Sequence, residues 1–479
     1  MTVLNQAAHR VYLNGQWVAT NKELEVVNPA DGKVFASVCT VDREQVKGAV
    51  DAAHSAFPAW RALTAKERGA MLHKVADELK RRADEIACII TQENGKPLAQ
   101  SKGEVGMSED HLRWFAEESK RAYGRMIPQQ DGRKRNLVIK TPIGVVGAIA
   151  PWNFPLVLSV RKVAPALAAG CPVILKPASK TPLCSVALAE CIEAAGIPAG
   201  VFQLVIGNAG MIAEEFLSNP LCRKITFTGS TEVGQSLIRG AAAQVKPLSL
   251  ELGGLAPLLV FEDCDLDVAV RETMIAKFRN MGQSCIAANR IYVQKSIYSA
   301  FLEKFVAATR ALKTGNGLEP GMDVGPLIGE PALAAALAQI EDAVKRGAKL
   351  LCGGKRLGTS GSFLEPTVLA DVAEGSACMC EETFAPIAPI CSFESEQEAI
   401  ARANASPFGL SAYVMTRDYA RMLRCAEAIE AGTIGINDGA PTTSNAPFGG
   451  VKHSGWGREL GSEGLDGFLE TKHISLGGF

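Results

Sequence analysis

Between residues 144 and 175 the chain is almost continuously apolar, and this stretch restricts the fold more than any other. Asn153, several prolines and the adjacent Arg161 and Lys162 interrupt it before a membrane span is complete, so it reads as buried strand and helix in a folded protein. Strand-like runs at 145–150, 173–175, 202–205 and 225–228 alternate with helical segments. That alternation predicts an open, largely parallel α/β sheet.

A second alternating region follows, with a run at 258–261, a helix near 267–281, a strand at 290–293 and more beyond Tyr413. A chain of 479 residues is too long for one ordinary core, so two or three domains are expected. Glu251-Leu252-Gly253-Gly254 stands between the two regions, where paired glycines permit a tight path and where clefts collect small-molecule sites. Upstream, Leu72, Val75, Leu79, Ile86 and Ile90 recur at helical spacing within 66–96, which predicts one long amphipathic covering helix. The polar segment 129–140, with Asp131-Gly132 at its tip, reads as a hairpin, and the tail 468–474 as another strand.

Lys and Arg total 50 against 51 Asp and Glu, which gives no bulk attraction to nucleic acid or an anionic membrane. The partner is then a small molecule, and an anionic one needs local cations. The first 18 residues hold one Arg and no continuous apolar core, against a secretory signal. Thirteen irregularly spaced cysteines suit a reducing compartment, so a cytoplasmic protein is expected. Cys378 and Cys380 form the only close pair, without a second pair or a His cluster, so no metal is expected.

The chemistry enters with residues 281–288, MGQSCIAA. Cys285, among small residues, is open to a small electrophile, and Glu251 can act on water once that thiol is acylated. Alone, a cysteine is more often a small buried hydrophobe. Read with Asn153 in PWNFP, Lys176 in LKPAS, the run GSTEVG at 229–234 and Glu382 in ETF, the sequence resembles the aldehyde dehydrogenase superfamily over nearly its whole length, and its succinate semialdehyde dehydrogenases most.

The resemblance implies two doubly wound, Rossmann-like α/β domains with a small β oligomerisation element. The dinucleotide-binding domain is expected at 1–125 and 141–251, the catalytic domain at 252–440, and the oligomerisation element at 126–140 and 460–479, building a homodimer or homotetramer. It also implies that Cys285 adds to an aldehyde, that the Asn153 amide holds the oxyanion, and that Glu251 activates water to hydrolyse the resulting thioester. The presence of Glu251 disfavours the branch that transfers the acyl group to coenzyme A.

Residues 226–234 follow an apolar run and open a helix whose N–H groups and dipole can receive a pyrophosphate, although Gly229 and Gly234 alone make a weak fingerprint. The resemblance adds Gly229 and Ser230 as dinucleotide contacts and Lys176 as a ribose contact. It places Trp152, Leu252 and Phe384 along the pocket and Glu382 on the nicotinamide ribose. NAD-specific members commonly carry a phosphate-repelling glutamate where this chain has Ser179, followed by Lys180, so NADP acceptance is expected, with NAD also used. Leu255 and Ala385 depart from the usual residues and put the fine cofactor geometry in question.

Arg161 and Arg279 match arginines that hold the substrate carboxylate in succinate semialdehyde dehydrogenases, and planar guanidinium groups take several oxyanions. One of Thr442, Thr443 and Ser444 is expected to add a hydroxyl contact. The expected activity is NAD(P)-dependent oxidation of a short anionic aldehyde, succinate semialdehyde first. Glutarate semialdehyde, sulfolactaldehyde and glyceraldehyde are the alternatives, and a non-catalytic binding or structural relative is a remote one. Ala287 stands where some members carry a second cysteine, so no local disulfide switch is expected.

Overall fold

The apolar stretch at 144–175 becomes strand Val145–Ile149, helix Val157–Ala169 and strand Val173–Lys176 in the computed structural model, which describes residues 8–478. All five residues of Val145–Ile149 are buried, as a parallel strand covered on both faces requires. Five parallel strands run in the order Phe202–Leu204, Val173–Lys176, Val145–Ile149, Cys222–Thr228, Leu248–Glu251. Short antiparallel strands that the periodicity did not show, at Val11–Leu13, Gln16–Val18 and Gly455–Trp456, extend both edges.

The second sheet has seven strands, and Ala256–Val260, Ala288–Gln294, Ile387–Phe393 and Ser411–Met415 form its parallel centre. Both sheets are doubly wound, the fold class expected from the sequence. The chain leaves the first sheet at Glu251 and enters the second at Ala256, so the carboxyl edge of one lies beside the amino edge of the other. Cys285 precedes strand Ala288–Gln294 and Glu382 precedes Ile387–Phe393, which puts both on that amino edge.

Three details differ from the sequence reading. The helix expected over 66–96 is two helices, Ala65–Arg81 and Ala83–Asn94. The break falls at Arg82, where ψ reaches 14° and the guanidinium pairs with Glu85 and Glu190, each at 2.7 Å. The terminal strand begins only at Leu469, because Leu460, Leu465 and Phe468 are buried in the first core. The hairpin and tail join: Leu469–Gly477 pairs antiparallel along all of Lys134–Pro142, which also pairs with Arg125–Ile127. The expected segments 1–125 and 460–479 each extend beyond the described residues, at 1–7 and at 479. Among the described residues no helix is long and apolar enough to cross a membrane.

Candidate active site

After Val145–Ile149 the first sheet grows to one side, and from Cys222–Thr228 to the other; a crevice at the carboxyl ends of such neighbours is a usual ligand site. A cavity of about 810 Å³ lies there, lined by Trp152, Lys176, Ser179, Lys180, Gly229 and Ser230. Lys176 is buried and makes no side-chain hydrogen bond or ion pair with a described residue, and burial pushes its ammonium down to about 8. A buried cation with no partner among the described residues suits a ligand's hydroxyl or phosphate oxygens. Lys180 is exposed, 6.0 Å from the Trp152 ring centre, beside half-buried Ser179. The facing carboxylate, Glu214, is engaged by Arg43 at 2.5 Å. Ser230 caps helix Thr231–Ala241, accepting from the Val233 N–H at 3.4 Å. Gly234 lines neither cavity of the site; a side chain there would meet Leu252 at 2.6 Å, so its role is packing.

A second cavity of about 220 Å³ shares Trp152 and Gly229 with the first and is lined by Asn153, Leu252, Cys285, Glu382 and Phe384. It brings together residues 133 positions apart, between Trp152 and Cys285. Cys285 is presented by a turn in which Asn280, Met281 and Gly282 have φ of 53°, 58° and 70°. Two non-glycine residues in that region cost of the order of 1–3 kcal/mol each, so the surroundings must hold them. The Asn280 backbone N–H donates to Gln100 at 2.8 Å, and its amide to the Asn153 and Gln283 carbonyls, both at 2.9 Å. The glycines permit close approach: a Cβ on Gly254 would lie 2.4 Å from the Cys285 carbonyl, and one on Gly282, 2.2 Å from that of Ala385.

The Asn153 amide donates to the Gln283 carbonyl at 3.1 Å, which fixes its orientation and leaves one N–H uncommitted. Its backbone is held by residues the sequence reading missed. Buried Lys96 donates to the Asn153 carbonyl at 2.7 Å and to Glu104 at 2.6 Å, and Glu104 accepts from the Leu156 and Val157 N–H groups at the start of helix Val157–Ala169. Removing one partner of a buried pair strands the other charge, so Glu104→Ala is expected to cost about 3–5 kcal/mol. Chemical denaturation measures this directly, and a change below about 1 kcal/mol would show that the network does not brace this loop.

Burial, reinforced by Glu382 and Glu251, pushes the Cys285 thiol up to about 12, while Arg161 acts in the opposite sense. Burial also raises Glu382 to about 7; its carboxylate accepts from the Gly254 N–H at 2.8 Å. Phe384 has φ of 40°, and its ring meets Trp152 edge-on at 5.5 Å.

Glu251 is buried and lines neither cavity; its carboxyl faces Gly449, where a Cβ would come within 2.7 Å. Burial first, then Glu459, hold Glu251 well above the usual carboxylate range, with Lys162 and Arg161 opposing. Lys162 bridges Glu459 at 2.5 Å and Thr228 at 2.6 Å. Sequence reading treated Lys162 only as an interruption of apolar sequence and missed Glu459. A lysine inside an apolar helix does demand a partner, but this one is 297 positions away.

Arg161 is buried and Arg279 half-buried, and neither makes a side-chain hydrogen bond or ion pair with a described residue. Each lies against a ring, Phe448 at 4.9 Å and Phe154 at 5.3 Å. Their charges act on each other, and both act on Cys285. Thr443 is exposed and donates to Asn445 at 2.9 Å, Ser444 is half-buried, and the Thr442 hydroxyl is buried without a partner. Among the described residues no cluster of ligating side chains could hold a metal. All thirteen cysteines are unpaired.

The sequence matches the profile of the aldehyde dehydrogenase family over residues 17–474. It is 49% identical over 471 residues to the glutarate-semialdehyde dehydrogenase of Pseudomonas aeruginosa, covering 98% of each chain. It is 47% identical over 475 residues to the NADP(+) succinate-semialdehyde dehydrogenase GabD of Escherichia coli, covering 99% of this chain and 98% of that one. The crystal structure of succinate-semialdehyde dehydrogenase from Burkholderia pseudomallei superposes with a TM-score of 0.97 at 45% identity, covering 98% of both. The chain therefore belongs to the aldehyde dehydrogenase family.

Proposed function

We propose that this protein oxidises a short aldehyde bearing an anion at its far end, succinate semialdehyde first, to the carboxylic acid, using NADP and also NAD. The observation that carries the substrate class is the pair Arg161 and Arg279, two guanidinium groups that form no ion pair or side-chain hydrogen bond with a described residue, both close enough to act electrostatically on Cys285. Uncompensated buried cations are costly, and an anionic ligand offsets that cost on binding. The unpartnered Thr442 hydroxyl is the favoured third contact of the three candidates.

Cys285 first loses its thiol proton to solvent, the resulting thiolate adds to the aldehyde carbon, and the uncommitted Asn153 N–H supports the new oxyanion. As the carbonyl re-forms, hydride leaves that carbon and a thioester remains. The bound nicotinamide supplies the hydride acceptor. Glu251 then takes a proton from water, which attacks the thioester and expels the thiolate. Lys176, Ser179, Lys180 and Ser230 hold the adenosine end and its phosphates. Ser179 and Lys180 present no anion to a 2′-phosphate, which supports the NADP reading. The three-stranded sheet, with Met126 70% exposed, is the element we assign to subunit pairing.

Steady-state rates on succinate semialdehyde, glutarate semialdehyde, sulfolactaldehyde, glyceraldehyde and a neutral aldehyde test the substrate. Arg279→Ala is expected to lower kcat/KM for the favoured anionic substrate by about a hundredfold, with a much smaller effect on the neutral one. An equal loss on both would remove the anion clamp.

A further inference from the structure

Lys277 is fully buried at the end of helix Leu266–Phe278, and the reaction just described does not use it. Among the described residues no carboxylate forms an ion pair with it; its amine donates to the Thr383 hydroxyl at 2.9 Å. Thr383 stands between Glu382 and Phe384, two residues that line the cavity of Cys285. The Thr383 hydroxyl donates onward to Asn289 at 3.2 Å, whose amide donates to the Glu381 carbonyl at 3.2 Å. Gln339 donates to the Glu382 carbonyl at 3.2 Å. A loop with a left-handed phenylalanine at its end, φ 40°, is thus anchored from a helix, a strand and a second helix. Only Lys277 among these anchors leads, two residues later, into Arg279 and the left-handed turn that presents Cys285.

We infer that Lys277 is a positioning residue, which acts through Thr383 to hold Glu382 and Phe384 against the cofactor and keeps that loop in register with the turn carrying the nucleophile. The inference rests on the reading that Glu382 holds the nicotinamide ribose. A hydroxyl and an isosteric methyl at 383 fill the same space, but only the hydroxyl accepts from Lys277 and keeps its buried amine satisfied. The titratable groups facing Lys277 are Cys378, whose thiol burial keeps protonated, and Glu382, with Glu232 acting on Glu382 beyond. Burial pushes the amine down to about 7, so little separates its charged and neutral forms; both donate to Thr383.

The test measures NADPH dissociation constants and steady-state constants for the full enzyme with Lys277→Met, Thr383→Val, Thr383→Ser, the Lys277→Met/Thr383→Val pair, and Glu382→Gln. Lys277→Met and Thr383→Val are each expected to weaken NADPH about tenfold while the aldehyde KM stays within about twofold. The pair should add little to either alone, and Thr383→Ser should restore tight binding. If Lys277→Met does not fold, Thr383→Val against Thr383→Ser carries the same comparison. Unchanged NADPH affinity in Thr383→Val, or full additivity in the pair, overturns the inference. If Glu382→Gln also leaves NADPH affinity unchanged, the underlying reading of Glu382 fails; if it weakens binding while Thr383→Val does not, only the role of Lys277 fails.

Discussion

Glu251→Gln is expected to turn over once and stop: a burst of reduced nicotinamide near one equivalent per site, then a steady rate lower by about 10²–10³-fold. The amide keeps the shape of the carboxyl but cannot take a proton from water, so the thioester forms and persists. The pH dependence follows from the same group. Burial and Glu459 favour the protonated form of Glu251, and only the ionised form is a base. Where hydrolysis limits turnover, kcat should therefore climb as pH rises and Glu251 loses its proton. Glu459→Gln removes the neighbouring negative charge, which lowers the pKa of Glu251 and moves that climb toward lower pH. A shift toward higher pH would show that the assigned coupling between Glu459 and Glu251 is wrong. Steady-state pH profiles of the two proteins, compared in the same buffers, make the measurement.

Cys285→Ala should abolish both the burst and the steady rate, a loss of the order of 10⁴-fold or more, because every covalent step passes through the sulfur. NADP binding should survive, since Lys176, Ser179 and Lys180 line the larger cavity and Cys285 only the smaller. Loss of binding together with activity would indicate a collapsed site and would not support the nucleophile. The substituted residue is half-buried at a cavity wall, so removing one atom leaves little strain behind.

Much of this arrangement was legible in sequence because it is local. The apolar runs at 145–150 and 173–175 could only be strands covered on both faces, and the glycines at 253 and 254 marked the passage between sheets. Their exact use was not legible: Gly254 is required because the Cys285 carbonyl passes where its side chain would be. The break at Arg82 escaped periodicity because its cause is a partner on another helix, Glu190. Lys96 and Glu104 are eight positions apart, yet their purpose shows only when the Asn153 carbonyl, 57 positions from Lys96, closes the network. Glu459 escaped for the same reason, as did the return of Leu460 and Phe468 to the first core. Short-range pattern reveals elements and motif residues; groups that brace a site across domains are satisfied only by the fold.

The most direct test is to mix Glu251→Gln with succinate semialdehyde and NADP, quench after the burst, and map the adduct by peptide mass spectrometry. A succinyl group on Cys285, in the same amount as the reduced nicotinamide formed, is the predicted result. Reduced nicotinamide without an adduct, or an adduct on any other residue, would contradict it.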